Sequence, residues 1–233
     1  MKKKIEYVLL ILLCFFSAGG GILRAQNMLN SELLRFSLWF PYDNVPSLQK
    51  PLQAGDSVYA QAVEQIKMLT PFMLEGLVYG WKFVYTPSDK LRAVDEFFSV
   101  EPVIPVEIDE KLTFTNAGYR AESSRVECWV EYRLTENMIS RRKRWQTTSF
   151  PRIKGIGSDS IVNESDGIKE ACRQALKNAV RSYAQSLLKN KPKEISGTVL
   201  LVDLPRYYIK SGKYYADLDF FLFVSKIEGY TQF

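Results

Sequence analysis

The amino-acid sequence predicts an α+β fold: antiparallel sheet of roughly six strands covered by two main helices, 56–79 and 165–189. Three observations lead there. Apolar residues recur at helical spacing in two long stretches. Strand-like segments come in pairs joined by turn residues. There is no regular alternation of strand and helix, so a parallel Rossmann-type sheet is excluded. A hydrophobic content of 46% with 13% aromatics also excludes a disordered chain.

The first 25 residues read as a secretion signal rather than as fold. Lys2, Lys3 and Lys4 precede an apolar run from Tyr7 to Phe16. Ser17 to Gly21 are small, and Leu23-Arg24-Ala25 ends on a small residue before Gln26. This is the order of parts in a cleavable signal, and the run is shorter than the roughly 20 residues that cross a bilayer. Cys14 follows Leu12-Leu13, whereas lipid attachment asks for a small residue just before the cysteine. The signal also distorts the charge. Its four basic residues against Glu6 account for +3 of the net +5. The remainder is close to neutral, which removes the support a basic pI lends to nucleic-acid binding. The expected location is the periplasm or cell surface of a bacterium, with no transmembrane segment once the signal is gone.

Residues 26–55 form a lead-in in which Leu33 to Tyr42 docks on the body as an edge strand, followed by loop around Pro46, Pro51 and Gly55. The first helix starts near Asp56, an N-cap type. Val58, Ala62, Ile66, Leu69 and Met73 define its face, and Pro71 should break or kink it. Gly80 ends it, Trp81 to Thr86 reads as a strand, and Pro87-Ser88-Asp89 as a turn. Phe97 to Ile108 is an extended edge limited by its prolines. A hairpin follows, Leu112 to Arg120 and Arg125 to Leu134, with Val126, Cys128, Val130 and Tyr132 on one face.

Residues 135–164 read as loop-rich, with room for a short helix over Glu136 to Arg144. Pro151, Gly155, Gly157 and Ser158 mark an exposed loop, and Gly155-Ile156-Gly157 a flexible turn. The helix over 165–189 is capped by Ser165 or Asp166. It buries Ile168, Ala171, Cys172, Ala175, Leu176 and Ala179, and turns Lys169, Arg173, Lys177 and Arg181 to solvent. A last hairpin joins Val199–Ile209 to Tyr214–Lys226 around Ser211-Gly212, with Arg206 facing Asp217. Its far end is apolar on both faces and therefore needs two covers. Helix followed by two strands occurs twice, over 56–134 and 165–226, so two halves joined by a basic loop are an option. The alanine-spaced helix with its strand pair, around Ala175-Leu-Lys-Asn-Ala179, resembles small bacterial envelope domains such as the N-terminal part of flagellar T-ring proteins. That likeness covers about a quarter of the chain, and it assigns no family.

The chemistry is bounded by what is missing. With no histidine in the chain, the Ser-His-Asp and Cys-His nucleophiles and every histidine zinc site are excluded. After signal cleavage two cysteines remain, Cys128 and Cys172, allowing one disulfide or two core thiols. Each lies on the apolar side of its element, so the helix bearing Cys172 is expected to cover the sheet face bearing Cys128. Asp217 and Asp219 lie two apart on a strand, about 7 Å by strand rise, a spacing compatible with an inverting glycosidase. Their plain reading is a solvated pair near a hairpin end. The run Arg141-Arg142-Lys143-Arg144 with Trp145 is the best contact candidate, suited to an envelope protein, a lipid headgroup or an anionic polymer. The expectation is thus a non-catalytic envelope protein that binds or scaffolds, without cofactor or metal. A carboxylate-dependent hydrolase of envelope glycan is the alternative.

Overall fold

The computed structural model describes residues 32–42, 58–147, 149–188 and 190–230. The expected signal, its cleavage site at Gln26, and the Asp56 cap lie outside them. In chain order the elements are β1 (Leu33–Pro41), α1 (Val58–Val78), β2 (Trp81–Thr86), β3 (Phe97–Pro102), β4 (Leu112–Arg120) and β5 (Arg125–Arg133). Then come α2 (Glu136–Trp145), β6 (Arg152–Ser160), α3 (Glu164–Leu187), β7 (Glu194–Leu201), β8 (Arg206–Lys210) and β9 (Lys213–Glu228). The fold is α+β with antiparallel sheets. Three strands pair in the order β1-β5-β4, and six form a second sheet in the order β3-β2-β7-β9-β6 with β8 also on β9.

Helix α1 packs against strands of both sheets and against α3. The lead-in strand docks as expected, at the edge of the three-stranded sheet. Leu34, Phe36, Leu38 and Phe40 turn inward at every second position. Pairing of β2 with β7 puts strands from both halves of the chain into one sheet, so the two α-β-β segments interleave.

Pro71 sits inside α1, which runs from Val58 to Val78 without the expected break. Proline removes one donor and crowds the preceding turn. Here Leu69, Thr70, Phe72, Met73 and Leu74 are all buried around it, and tertiary packing overrides the local cost. The Thr70 hydroxyl donates to the Ile66 carbonyl at 2.7 Å. The helix stops at Gly80, which adopts φ +84°. Tyr79 and Gly80 both donate backbone N–H groups to the Glu75 carbonyl, at 3.0 and 2.7 Å.

The largest departure from expectation is β6. The stretch read as exposed loop is a nine-residue strand, paired with β9 from Arg152↔Phe221 to Ser160↔Lys213. Its glycines serve close packing. A Cβ at Gly155 would lie 2.0 Å from the Ala175 oxygen, and one at Gly157 would lie 2.2 Å from the Ala171 oxygen and the Ala175 nitrogen. Glycine on the strand and alanine on the helix thus let α3 lie directly on β6, and the chemistry that weakens strand propensity is what this contact needs.

Three details of α3 also differ. Asn163 takes the N-cap position and makes no side-chain cap bond, while Ser165 and Asp166 fall in the first turn. The orphan Ser165 N–H is instead met by Gln65 of α1, at 3.1 Å. Its basic stripe is not simply solvated. Lys177 and Arg181 pair with Glu96 at 3.1 and 3.0 Å, and the Arg173 guanidinium lies 5.4 Å from the Phe72 ring centre. Finally, α3 covers β6 and β9, whereas the helix packed on β5 is α1. The expected pairing of the Cys172 helix with the Cys128 sheet face is therefore wrong. Alternation on β5 correctly placed Cys128 inward but carried no information on which helix arrives there. Both cysteines are free and buried.

The last hairpin is two strands and a third. Residues 202–205 separate β7 from β8, and both pair with β9. The turn is Ser211-Gly212, at φ +50° and +70°. Val199, Leu201, Phe220 and Leu222 point into the core. Leu200, Phe221 and Phe223 alternate to the other face; the first two are buried and Phe223 is 49% exposed.

Candidate functional site

The basic run is the C-terminal half of a helix rather than a loop. The Thr135 side chain accepts from the Met138 N–H at 3.4 Å, and the Thr135 N–H donates to the Met138 sulfur at 3.4 Å, closing the first turn of α2. The basic residues of its last turn complement the negative end of the helix, which is a structural reason for part of the run. Helical spacing then divides the cluster. Met138 and Arg142, four apart, face inward, Arg142 only 2% exposed. Burial lowers the Arg142 guanidinium pKa to about 10, still well above neutral pH. Lys143 points to solvent. Asn137, Arg141, Arg144 and Trp145 share another face and line a groove of about 500 Å³.

The far side of that groove comes from elements distant in sequence. Lys82 of β2, Thr198 of β7 and Phe223 of β9 contribute, with Tyr79 after α1 and Val103 after β3. Phe150 joins helix to sheet: its ring centre is 4.7 Å from Trp145 and 6.1 Å edge-on from Phe223. Three cations, Lys82, Arg141 and Arg144, line the groove, and no carboxylate does. None of the three enters a salt bridge among the described residues. Glu101, opposite Lys82 in the ladder, is not among the lining residues.

In another cavity the cations have partners. This one, lined by Tyr85, Arg181 and Lys191, about 450 Å³, has its cations committed: Arg181 to Glu96 at 3.0 Å and Lys191 to the Ser88 carbonyl at 3.0 Å. Next to it, Arg92 binds Asp89 at 2.6 Å and lies over the Tyr230 ring.

Asp217 and Asp219 share the outer face of β9, as alternation requires. Arg206 reaches Asp217 at 3.2 Å, the cross-strand pair expected from the turn, and Lys154 reaches Asp219 at 3.0 Å. Each carboxylate thus has a basic partner on a neighbouring strand, in a shallow depression of about 390 Å³. This is the cross-strand charge pairing of a half-exposed ladder. Lys154 escaped the sequence reading because its strand was taken for loop. Among the described residues no group of three or more cysteine, aspartate or glutamate side chains is placed to hold a metal ion.

Lys82, Phe150 and Phe223 complete the groove and were not singled out by sequence. One signal for Phe223 was present: the hairpin end is apolar on both faces, so something had to lie against its outer side.

The chain belongs to a protein family whose model matches residues 21–230. An uncharacterized protein of Treponema pallidum (strain Nichols) is 26% identical over 230 residues, covering 97% of this chain and 95% of that protein. No solved structure matches the chain.

Proposed function

We propose that this is an exported, non-catalytic protein of a bacterial cell envelope, periplasmic or at the cell surface, that binds or scaffolds an anionic envelope component. The groove at the end of α2 is the contact site. The observation that carries this reading is the combination, among the described residues, of three cations without an ion pair and a connected aromatic wall in one groove with no carboxylate lining it. Lys177, Arg181 and Arg206, by contrast, each have an acidic neighbour. Arginine forks without such neighbours suit phosphate or carboxylate ligands. Export rests on the order of charged, apolar and small residues in 1–25.

The test uses protein beginning at Gln26, the N-terminus that mass spectrometry of the exported product should find. Co-sedimentation with the native envelope fraction should weaken with added salt. It should weaken strongly in Arg141→Ser/Arg144→Ser, with the unfolding free energy within about 0.5 kcal/mol of wild type, as for surface changes. Association that is the same in the double variant and wild type removes the groove as the contact site.

A further inference from the structure

We propose that the α2 groove seats the headgroup of an anionic phospholipid, so that this part of the molecule lies peripherally against a membrane surface. The inference rests on the contact role proposed above and names its partner. No helix among the described residues is long and apolar enough to cross a membrane. Charge complementarity comes first: Lys82, Arg141 and Arg144 line the groove and no carboxylate is among its lining residues, although Glu101 stands opposite Lys82 in the ladder. Guanidinium groups bind phosphate oxygens two at a time. Size agrees, since about 500 Å³ falls within the roughly 300–1,000 Å³ of sites that hold one compact ligand.

The aromatic wall separates a lipid from a soluble anionic polymer. Trp145, Phe150 and Phe223 form a continuous ladder of ring contacts, and Phe223 keeps 49% of its surface exposed. A polymer held by its charges uses the cations and leaves Phe223 in water. A membrane interface uses both, because aromatic rings settle at headgroup depth while basic side chains meet the anionic surface.

Vesicles of phosphatidylglycerol and of phosphatidylcholine, offered to protein beginning at Gln26, test this. Binding is expected to phosphatidylglycerol and not to phosphatidylcholine. Arg141→Ser/Arg144→Ser should lose roughly thirtyfold in vesicle affinity, at about 1 kcal/mol per basic side chain. Phe223→Ser should weaken it further, and tryptophan emission should shift to the blue on binding in wild type but not in Trp145→Phe. Thermal unfolding of each variant checks that it remains folded. Equal binding to the two lipids overturns the inference. So does unchanged affinity in Phe223→Ser with competition by soluble polyglutamate, which points to a polymer site. If vesicles fail while envelope association still depends on Arg141 and Arg144, the lipid assignment falls and the contact site stands. If that dependence is also absent, both fall.

Discussion

Gly157→Ala is the sharpest probe of how α3 meets the large sheet. The new methyl would sit 2.2 Å from both the Ala171 oxygen and the Ala175 nitrogen, while ordinary contact begins at 3.4 Å. Both obstructing atoms belong to helix backbone, so no rotamer change relieves the clash. The helix must retreat by about 1 Å from a core in which Ile168, Ala171, Cys172, Ala175 and Leu176 are fully buried. Overpacking typically costs about 1–3 kcal/mol, and the rigid obstruction places this variant near the upper end. That is a large share of the roughly 5–15 kcal/mol that holds a domain together. Equilibrium unfolding in urea reads it as a lowered midpoint at unchanged slope. Gly229→Ala, where an added Cβ meets nothing within 4 Å, is the control and should stay within about 0.5 kcal/mol. A Gly157→Ala midpoint equal to the control would refute the close seating of α3 on β6.

Further outcomes follow from single contacts. The buried Tyr207 hydroxyl accepts from the Trp39 N–H at 2.9 Å and donates to the Trp39 carbonyl at 2.6 Å, tying β8 to the edge strand β1. Tyr207→Phe should cost about 1–3 kcal/mol through the backbone groups left without a partner, measured by urea unfolding; a change near zero would remove the tie. Lys193 and Lys226 hold Glu228 at 2.7 and 2.8 Å and depress its pKa from 4.5 to about 2. A depressed carboxylate stabilises fully above its unfolded value and loses that stability as pH falls through the folded one. The stability difference between wild type and Glu228→Gln should therefore shrink between about pH 4.5 and pH 2, and a difference that does not vary over that window would contradict the pairing. Burial raises both thiols, Cys172 to about 12, so a thiol reagent should find no reactive cysteine in native protein beginning at Gln26 and two after denaturation without reductant. None after denaturation would mean a disulfide.

Much of the fold was legible because periodicity reports burial. The spans of β1, β2, β4, β5 and α3 follow from apolar spacing and turn residues, and the Arg206–Asp217 pair follows from placing the turn at Ser211-Gly212. What failed did so where tertiary contact overrides local preference. Pro71 is carried through α1 by buried neighbours, and β6 has a composition that reads as loop because its glycines are matched to alanines on α3. Only part of the site was legible. The helix that carries Arg141, Arg144 and Trp145 was half anticipated, whereas Arg142 turned out to be an inward residue. Lys82 and Phe223 arrive from β2 and β9, whose meeting with α2 is set by sheet order, and no local pattern encodes that order.

The central claim is that the α2 groove is the surface this protein uses in the envelope. A photo-crosslinking side chain placed at Trp145, compared with one at Met68, 56% exposed on α1, tests it most directly in living cells. Trp145→p-benzoylphenylalanine should give an envelope adduct that disappears when Arg141 and Arg144 are also changed to serine, and Met68→p-benzoylphenylalanine should give none. Equal adducts at the two positions, or none at 145, would contradict the account.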